Sequence, residues 1–342
     1  VELSRLVAVG EAGEPEPENY LTITEHNFEP LPDQTGIPFW DQEWIAPELK
    51  ELLFGQPEDV PRLRTYFIVD ATLRKNITCV FDLNSGMVDV PVQCLFKGDA
   101  AEELKEVAPY LIDMTLPDGA WDDRDLVPSF HKDFFKKHWG KNTGIFIRTP
   151  ALMSEVWGHF RKSTRIQMEE DGRWVYFRFA DPCTVSAFVE ALDEDDTHKF
   201  LGPHHLINAA QTTLKAYHAT NPIGENQRRA LPPLIMKNDY IKAFGTDRKT
   251  HVAKKMAAKL VEITRAVPQK AFDTAKASID RCKKISLLQE DTIFGYAYLM
   301  LRHGDDIFDR YAITAKISDQ SKPEYVRKGF IHSLINRLES VS

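Results

Sequence analysis

The residues best suited to chemistry lie between positions 159 and 205. Cys183 follows Asp181 and Pro182, so its thiol stands at an expected helix start, where the positive end of the helix favours a thiolate. With His159 as base and Asp181 as orienting acid, Cys183 would complete a nucleophilic set of the hydrolase type. Spacing does not bring the three together, and a cysteine in a first turn equally reads as packing. Neither G-x-S-x-G nor a cysteine-protease signature accompanies them.

Metal chemistry has little to build on. The 11 histidines never form HExxH, and His204 and His205, being adjacent, point to opposite faces of a strand. His131 and His138 lie seven apart on a helix-like stretch with Asp133 between them, but no third ligand is evident. Cys79, Cys94, Cys183 and Cys282 make no CxxC pair and read as free thiols. Phosphate-binding loops are also missing: Gly140-Lys141-Asn142-Thr143-Gly144 lacks the spacing that cradles phosphates and reads as a turn before a strand. The acidic run Asp193 to Asp196 reads as a solvated loop. No catalytic residue, metal or cofactor is therefore expected.

One segment does stand out. Trp174-Val175-Tyr176-Phe177-Arg178-Phe179-Ala180-Asp181-Pro182 alternates aromatics in the manner of a strand, presents Arg178, and turns at Asp181 into a proline-started helix. Arg178 and Asp181 read as an ion pair, as a binding ledge, or as an arginine that ties the turn to a neighbouring carboxylate or carbonyl.

These residues need a scaffold, and its elements are legible. Short runs rich in β-branched and aromatic residues suggest strands at Tyr66 to Val69, Ile77 to Phe81, Val88 to Phe96, Tyr110 to Met114, Ile145 to Ile147 and Trp174 to Phe179. Helices are expected between them, over Asp99 to Val107, Pro150 to Lys162 and Pro182 to Leu192, the last two opened by the matching junctions Thr149-Pro150 and Asp181-Pro182. After Leu206 the strand signals fade. Further on, Val252, Met256 and Leu260 share a helix face, as do Phe272, Ala275 and Ile279. The expected architecture is an α/β (α+β) N-terminal lobe, with a central mixed sheet flanked by helices, plus an all-helical C-terminal lobe. Its expected parts are an acidic, partly ordered arm over 1–45, docked by Trp40 and Trp44, an α/β domain over 46–220, a linker over 221–234 and a helical lobe over 235–342.

Composition bounds the function. The chain has 342 residues, 43% hydrophobic and 27% charged, which suits a folded protein of two domains and excludes a collagen-like or wholly disordered one. Net charge is -8, distributed unevenly: residues 1–60 carry fourteen acids and two bases, and residues 228–342 carry 22 bases and 13 acids. The basic residues are scattered and the whole chain is acidic, so nucleic acid is not the favoured partner. No apolar run is long enough for a membrane span, and Val1 to Gly10 has no signal-peptide pattern, so the expected location is cytoplasmic, with no membrane partner.

The order of these words resembles the adaptor chaperones of bacterial type VI secretion, the Tap or TEC family that includes VasW-like proteins. The shared order runs from Tyr66-Phe67-Ile68-Val69-Asp70-Ala71 through Leu95-Phe96-Lys97-Gly98 and Pro109-Tyr110-Leu111-Ile112 to the strand Gly144 to Arg148. It continues with Trp157-Gly158-His159-Phe160-Arg161, the Asp171-Gly172 turn, Phe177-Arg178-Phe179 to Asp181-Pro182, and Phe200-Leu201-Gly202-Pro203. Ala180 and Cys183 depart from the pattern, which has an aromatic before the Asp and an Arg after the Pro. The resemblance implies a non-catalytic protein that binds a cognate toxic effector in the cytoplasm and helps place it on the VgrG spike. By the same resemblance the partner contacts would be Trp157, Arg161, Arg178, Asp181 and Phe200. The alternatives are the hydrolase set Asp181, Cys183 and His159, or a type VI cargo or immunity protein.

Overall fold

A computed structural model of the chain describes residues 20–38, 41–58, 60–83, 86–210 and 212–340. It divides into two compact units, Val1–Ala243 and Phe244–Ser342. The glutamates of the acidic arm before residue 20, and Trp40, lie outside the described residues.

In chain order the first unit contains β1 (Leu21–Asn27), α1 (Pro47–Phe54), β2 (Arg64–Asp70), α2 (Ala71–Thr78), β3 (Val92–Cys94), α3 (Asp99–Glu103), β4 (Pro109–Asp113), α4 (Ser129–Asp133) and β5 (Gly144–Thr149). After these come α5 (Met153–Phe160), β6 (Arg165–Met168), β7 (Trp174–Tyr176), α6 (Pro182–Ala191), α7 (Glu194–Leu201), β8 (His205–Ala209), β9 (Thr213–Ala219), α8 (Glu225–Ala230) and β10 (Ile235–Met236). Seven strands form one sheet in the order β1-β9-β8-β5-β2-β4-β3. Every neighbouring pair in it is antiparallel, so the unit is an α+β fold; among the described residues the one parallel pairing, β10 with β6, belongs to a small second sheet, β10-β6-β7.

Position in the sheet explains which strands show in the sequence. At the centre, β2 places Ile68 opposite Leu111 on one side and Ile145 on the other, and β5 is buried along its whole length. Such strands read as continuous apolar runs. Gly144 is required where β5 meets β2, because a Cβ there would lie 2.3 Å from the Ile68 carbonyl oxygen. At the edge, β1 follows buried Leu21 with alternating half-buried and exposed residues and, among the described residues, pairs only with β9, nearly 200 residues later. Leu21–Asn27, expected within the arm, is therefore an edge strand of the main sheet.

Several expected elements differ. Ile77 and Thr78 end α2 rather than starting a strand, because Asp70 caps that helix at Leu73 N and Cys79 closes it with a left-handed backbone. The expected strand over Val88 to Phe96 shrinks to Val92–Cys94, paired on one side only. The Thr149-Pro150 junction does not open a helix at the proline; α5 starts at Met153. A π turn over Phe134–His138 follows α4 and shifts the helical register between His131 and His138; His131 is buried, its Nε2–H donating to the Met114 carbonyl at 2.8 Å. Trp44 is buried, edge-on to Phe135 at 5.5 Å.

The helix α9 (Asn238–Thr264) crosses the division between units. The second unit continues with α10 (Pro268–Lys284), α11 (Glu290–His303), α12 (Ile307–Arg310), α13 (Thr314–Ser318) and α14 (Glu324–Glu339). Its core takes Met256 and Leu260 from one helix and Ala271, Ala275 and Cys282 from the next, on the faces set by four-residue spacing. Arg327 is buried there, and its guanidinium donates to the carbonyls of Ile285 and Ser286, just after α10, and of Ile317 in α13.

Candidate partner-binding groove

Strand alternation builds the site. Beyond β7, Phe177 and Phe179 turn inward, Phe177 against Phe188 at 4.6 Å and Phe179 stacked on Phe160 at 5.9 Å, which leaves Arg178 on the outside. The chain then turns at Asp181, whose carboxylate accepts from the Cys183 backbone N–H at 3.0 Å and caps α6. Burial pushes the Asp181 carboxyl above its ordinary range, against the pull of that backbone N–H and of the Arg178 charge.

Arg178 pairs with Asp70 instead of Asp181. Its Nε and Nη2 both reach Asp70 Oδ2, at 2.9 and 2.8 Å. The pair is asymmetric: the Arg178 side chain is 51% exposed and that of Asp70 only 4%. Because Asp70 also caps α2, one carboxylate ties the end of β2 to the turn before α6. Asp70 carries a signal that spacing alone does not link to Arg178, an acid at the last position of a strand directly before a helix.

Above this pair lies a groove of about 390 Å³ whose lining includes Phe96, Val107, Thr164, Tyr176 and Arg178. Val107 is 50% exposed and Tyr176 54%, large apolar groups on the rim of a charged floor. The Phe96 and Tyr176 rings lie 5.2 Å apart and join the loop after β3 to β7.

The remaining expected contacts distribute differently. Trp157 is half-buried, its indole N–H donating to the Cys94 carbonyl at 2.8 Å, with the Arg161 guanidinium 4.8 Å from its ring centre. Together they pin α5 to β3, and Phe96 follows Cys94 by two residues. Phe200 is not a surface contact. It has no exposure and packs edge-on to Phe160, Phe179 and Phe188, because α7 turns its apolar face to the core.

Two groups of the hydrolase reading bond to backbone groups. His159 Nε2–H donates to the Phe200 carbonyl at 2.7 Å, and burial lowers the ring to about 4, so it is neutral at physiological pH. Asp181 accepts from the backbone N–H of Cys183. Among the described residues there is no group of three or more His, Cys, Asp or Glu placed to hold a metal, and no helix long and apolar enough to cross a membrane.

Residues 65–199, which carry every groove residue named above, match the family model described as a domain of unknown function, DUF4123. No curated protein and no solved structure matches the chain.

Proposed function

We propose that the protein is a non-catalytic adaptor that holds a segment of a partner protein in the groove beside Arg178. The partner is a toxic effector of a type VI secretion system, bound in the cytoplasm and loaded onto the VgrG spike. The observation that carries this reading is the groove itself: exposed Val107 and Tyr176 flank an arginine anchored by a buried acid, inside the region that matches DUF4123, a domain associated with type VI effectors. Aromatic and arginine side chains are the usual energetic anchors of protein interfaces, and an arginine held by a second group loses less freedom on binding. Arg178 Nη1 carries no bond to a described residue and is the donor offered to a partner carbonyl or carboxylate.

The test is co-purification with the effector. Tyr176→Ala combined with Val107→Asp leaves circular dichroism unchanged, since both side chains are exposed, and weakens the complex at least about tenfold, roughly 1.4 kcal/mol. An undiminished complex with that double variant overturns the assignment of the groove.

A further inference from the structure

A second concavity in the first unit, of about 250 Å³, is lined by Lys162, Ser163, Arg165, Lys199, Arg228 and Arg229 among its residues, with no acid in its lining. Four of these cations have no ion pair with any described residue; only Arg229 has one, with Glu225. Arg165 lies over the faces of Trp174 and Tyr176, at 5.7 and 5.8 Å. Lys199 is fixed by donating to the carbonyls of Arg228 at 3.0 Å and Leu231 at 2.9 Å, neither of which neutralises it. The guanidinium of Arg228 makes no hydrogen bond to a described residue, and Gly202, in the left-handed region at φ +58°, leaves room for it: a Cβ there would stand 2.7 Å from Arg228 Nη1.

A cluster of cations with no acid in its lining works against folding. Lys199 shows the strain, held below its ordinary range by burial and then by the charges of Lys162 and Arg228. Like charges gathered in a concavity raise the local concentration of anions, and here they converge from four separate elements: the turn after α5, β6, α7 and α8.

We propose that this pocket binds a compact multivalent oxyanion, a phosphate ester or a polycarboxylate, through Lys162, Arg165, Lys199 and Arg228. The pocket shares no lining residue with the groove, and the proposal holds whether or not the adaptor reading does. The volume accommodates one or two phosphate-sized groups, and Ser163 adds a hydroxyl on the lining.

Titration calorimetry of the full chain with inorganic pyrophosphate and, separately, citrate tests it, at about 150 mM sodium chloride so that loose surface attraction is screened. The expected result is one saturable site with Kd below about 1 mM for at least one probe. Arg228→Ala and Lys162→Ala each weaken it at least about tenfold, whereas Lys242→Ala, removing an exposed lysine that pairs with Asp239, leaves it unchanged. Tighter pyrophosphate assigns a phosphoryl ligand and tighter citrate a carboxylate one. No saturable binding of either probe, or binding that Arg228→Ala and Lys162→Ala leave intact, overturns the proposal. Neither substituted side chain bonds to another described residue, so the variants remain folded and a lost signal reports the site.

Discussion

Phe160, Phe179, Phe188 and Phe200 interlock in the core of the first unit, and His159 and His204 pack against the same rings; in the second unit Ala253, Ala257, Ala271 and Ala275 let helices approach closely around Leu and Ile side chains. Buried polar groups follow the same division. The first unit buries Asp70, Arg148 and His204, and Arg148 has no ion pair with a described residue, so burial lowers its guanidinium to about 10. Arg327 in the second unit is buried too, but three carbonyls accept from it. A core that contains charged and titratable groups is the more easily perturbed one, and both concavities described above lie in that unit.

The largest effect expected from this contrast is at Phe160. Phe160→Ala removes the ring that contacts Phe179, Phe200 and His204 and lowers the stability of the first unit by about 3–5 kcal/mol. All 6 tryptophans fall at or before Trp174, so their fluorescence reports the first unit alone, and its unfolding midpoint in urea measures the loss.

Acid provides the next contrast. Burial lowers His205 to about 4, so above the ordinary histidine range folding binds no extra proton, and below about pH 6.5 the unfolded chain takes one up that the folded chain refuses. Stability is therefore complete above pH 6.5 and falls as pH drops toward 4, by on the order of 3 kcal/mol for this group. His159, also lowered to about 4, and His204, to about 2, act in the same direction. In the second unit His303 is half-buried and His332 exposed. Tryptophan fluorescence is expected to show the first unit unfolding on acidification while helical circular dichroism from the second persists; simultaneous loss of both signals breaks the contrast.

Adding one methyl group sharpens it further. Gly144→Ala forces a Cβ against the Ile68 carbonyl and the Phe67 ring and costs about 1–3 kcal/mol, whereas Gly295→Ala meets the side chains of Ile331, Ile335 and His332, nearest at 3.2 Å, and stays within about 1 kcal/mol, helped by alanine's helix preference. Arg178→Ala is likewise expected to cost no more than about 1 kcal/mol, because Asp70 keeps its bond from Leu73 N and the lost partner is half in water. Thermal unfolding ranks these variants, followed by tryptophan fluorescence for Gly144→Ala and Arg178→Ala in the first unit and by helical circular dichroism for Gly295→Ala in the second.

What the sequence discloses depends on how local each signal is. β2, β4, β5 and the start of α6 announce themselves through apolar runs and an Asp-Pro cap within a few residues. The helix faces of the second unit show equally well, since they need only a four-residue period. β8 and β9 do not: Asn208, Lys215 and His218 interrupt their pattern, and β1 becomes a strand only through pairing with a segment far along the chain. The groove follows the same rule. Arg178 is visible as an outward residue between inward aromatics, but its partner Asp70 lies 108 positions away. Phe200 stands beside a glycine-proline turn, yet is wholly buried, on a helix that also buries Thr197, His198 and Leu201. The basic pocket is assembled from four elements and leaves no local motif at all.

The central claim is that the groove of the first unit, rather than the helical unit, holds the effector. Site-specific photo-crosslinking tests it directly, with a photoreactive residue placed at exposed Val107 on the groove rim or at exposed Val267 at the start of α10. In cells that assemble the secretion system, the adaptor account predicts a crosslink to the toxic effector from position 107 and none from position 267. Effector captured from 267 and not from 107 contradicts it.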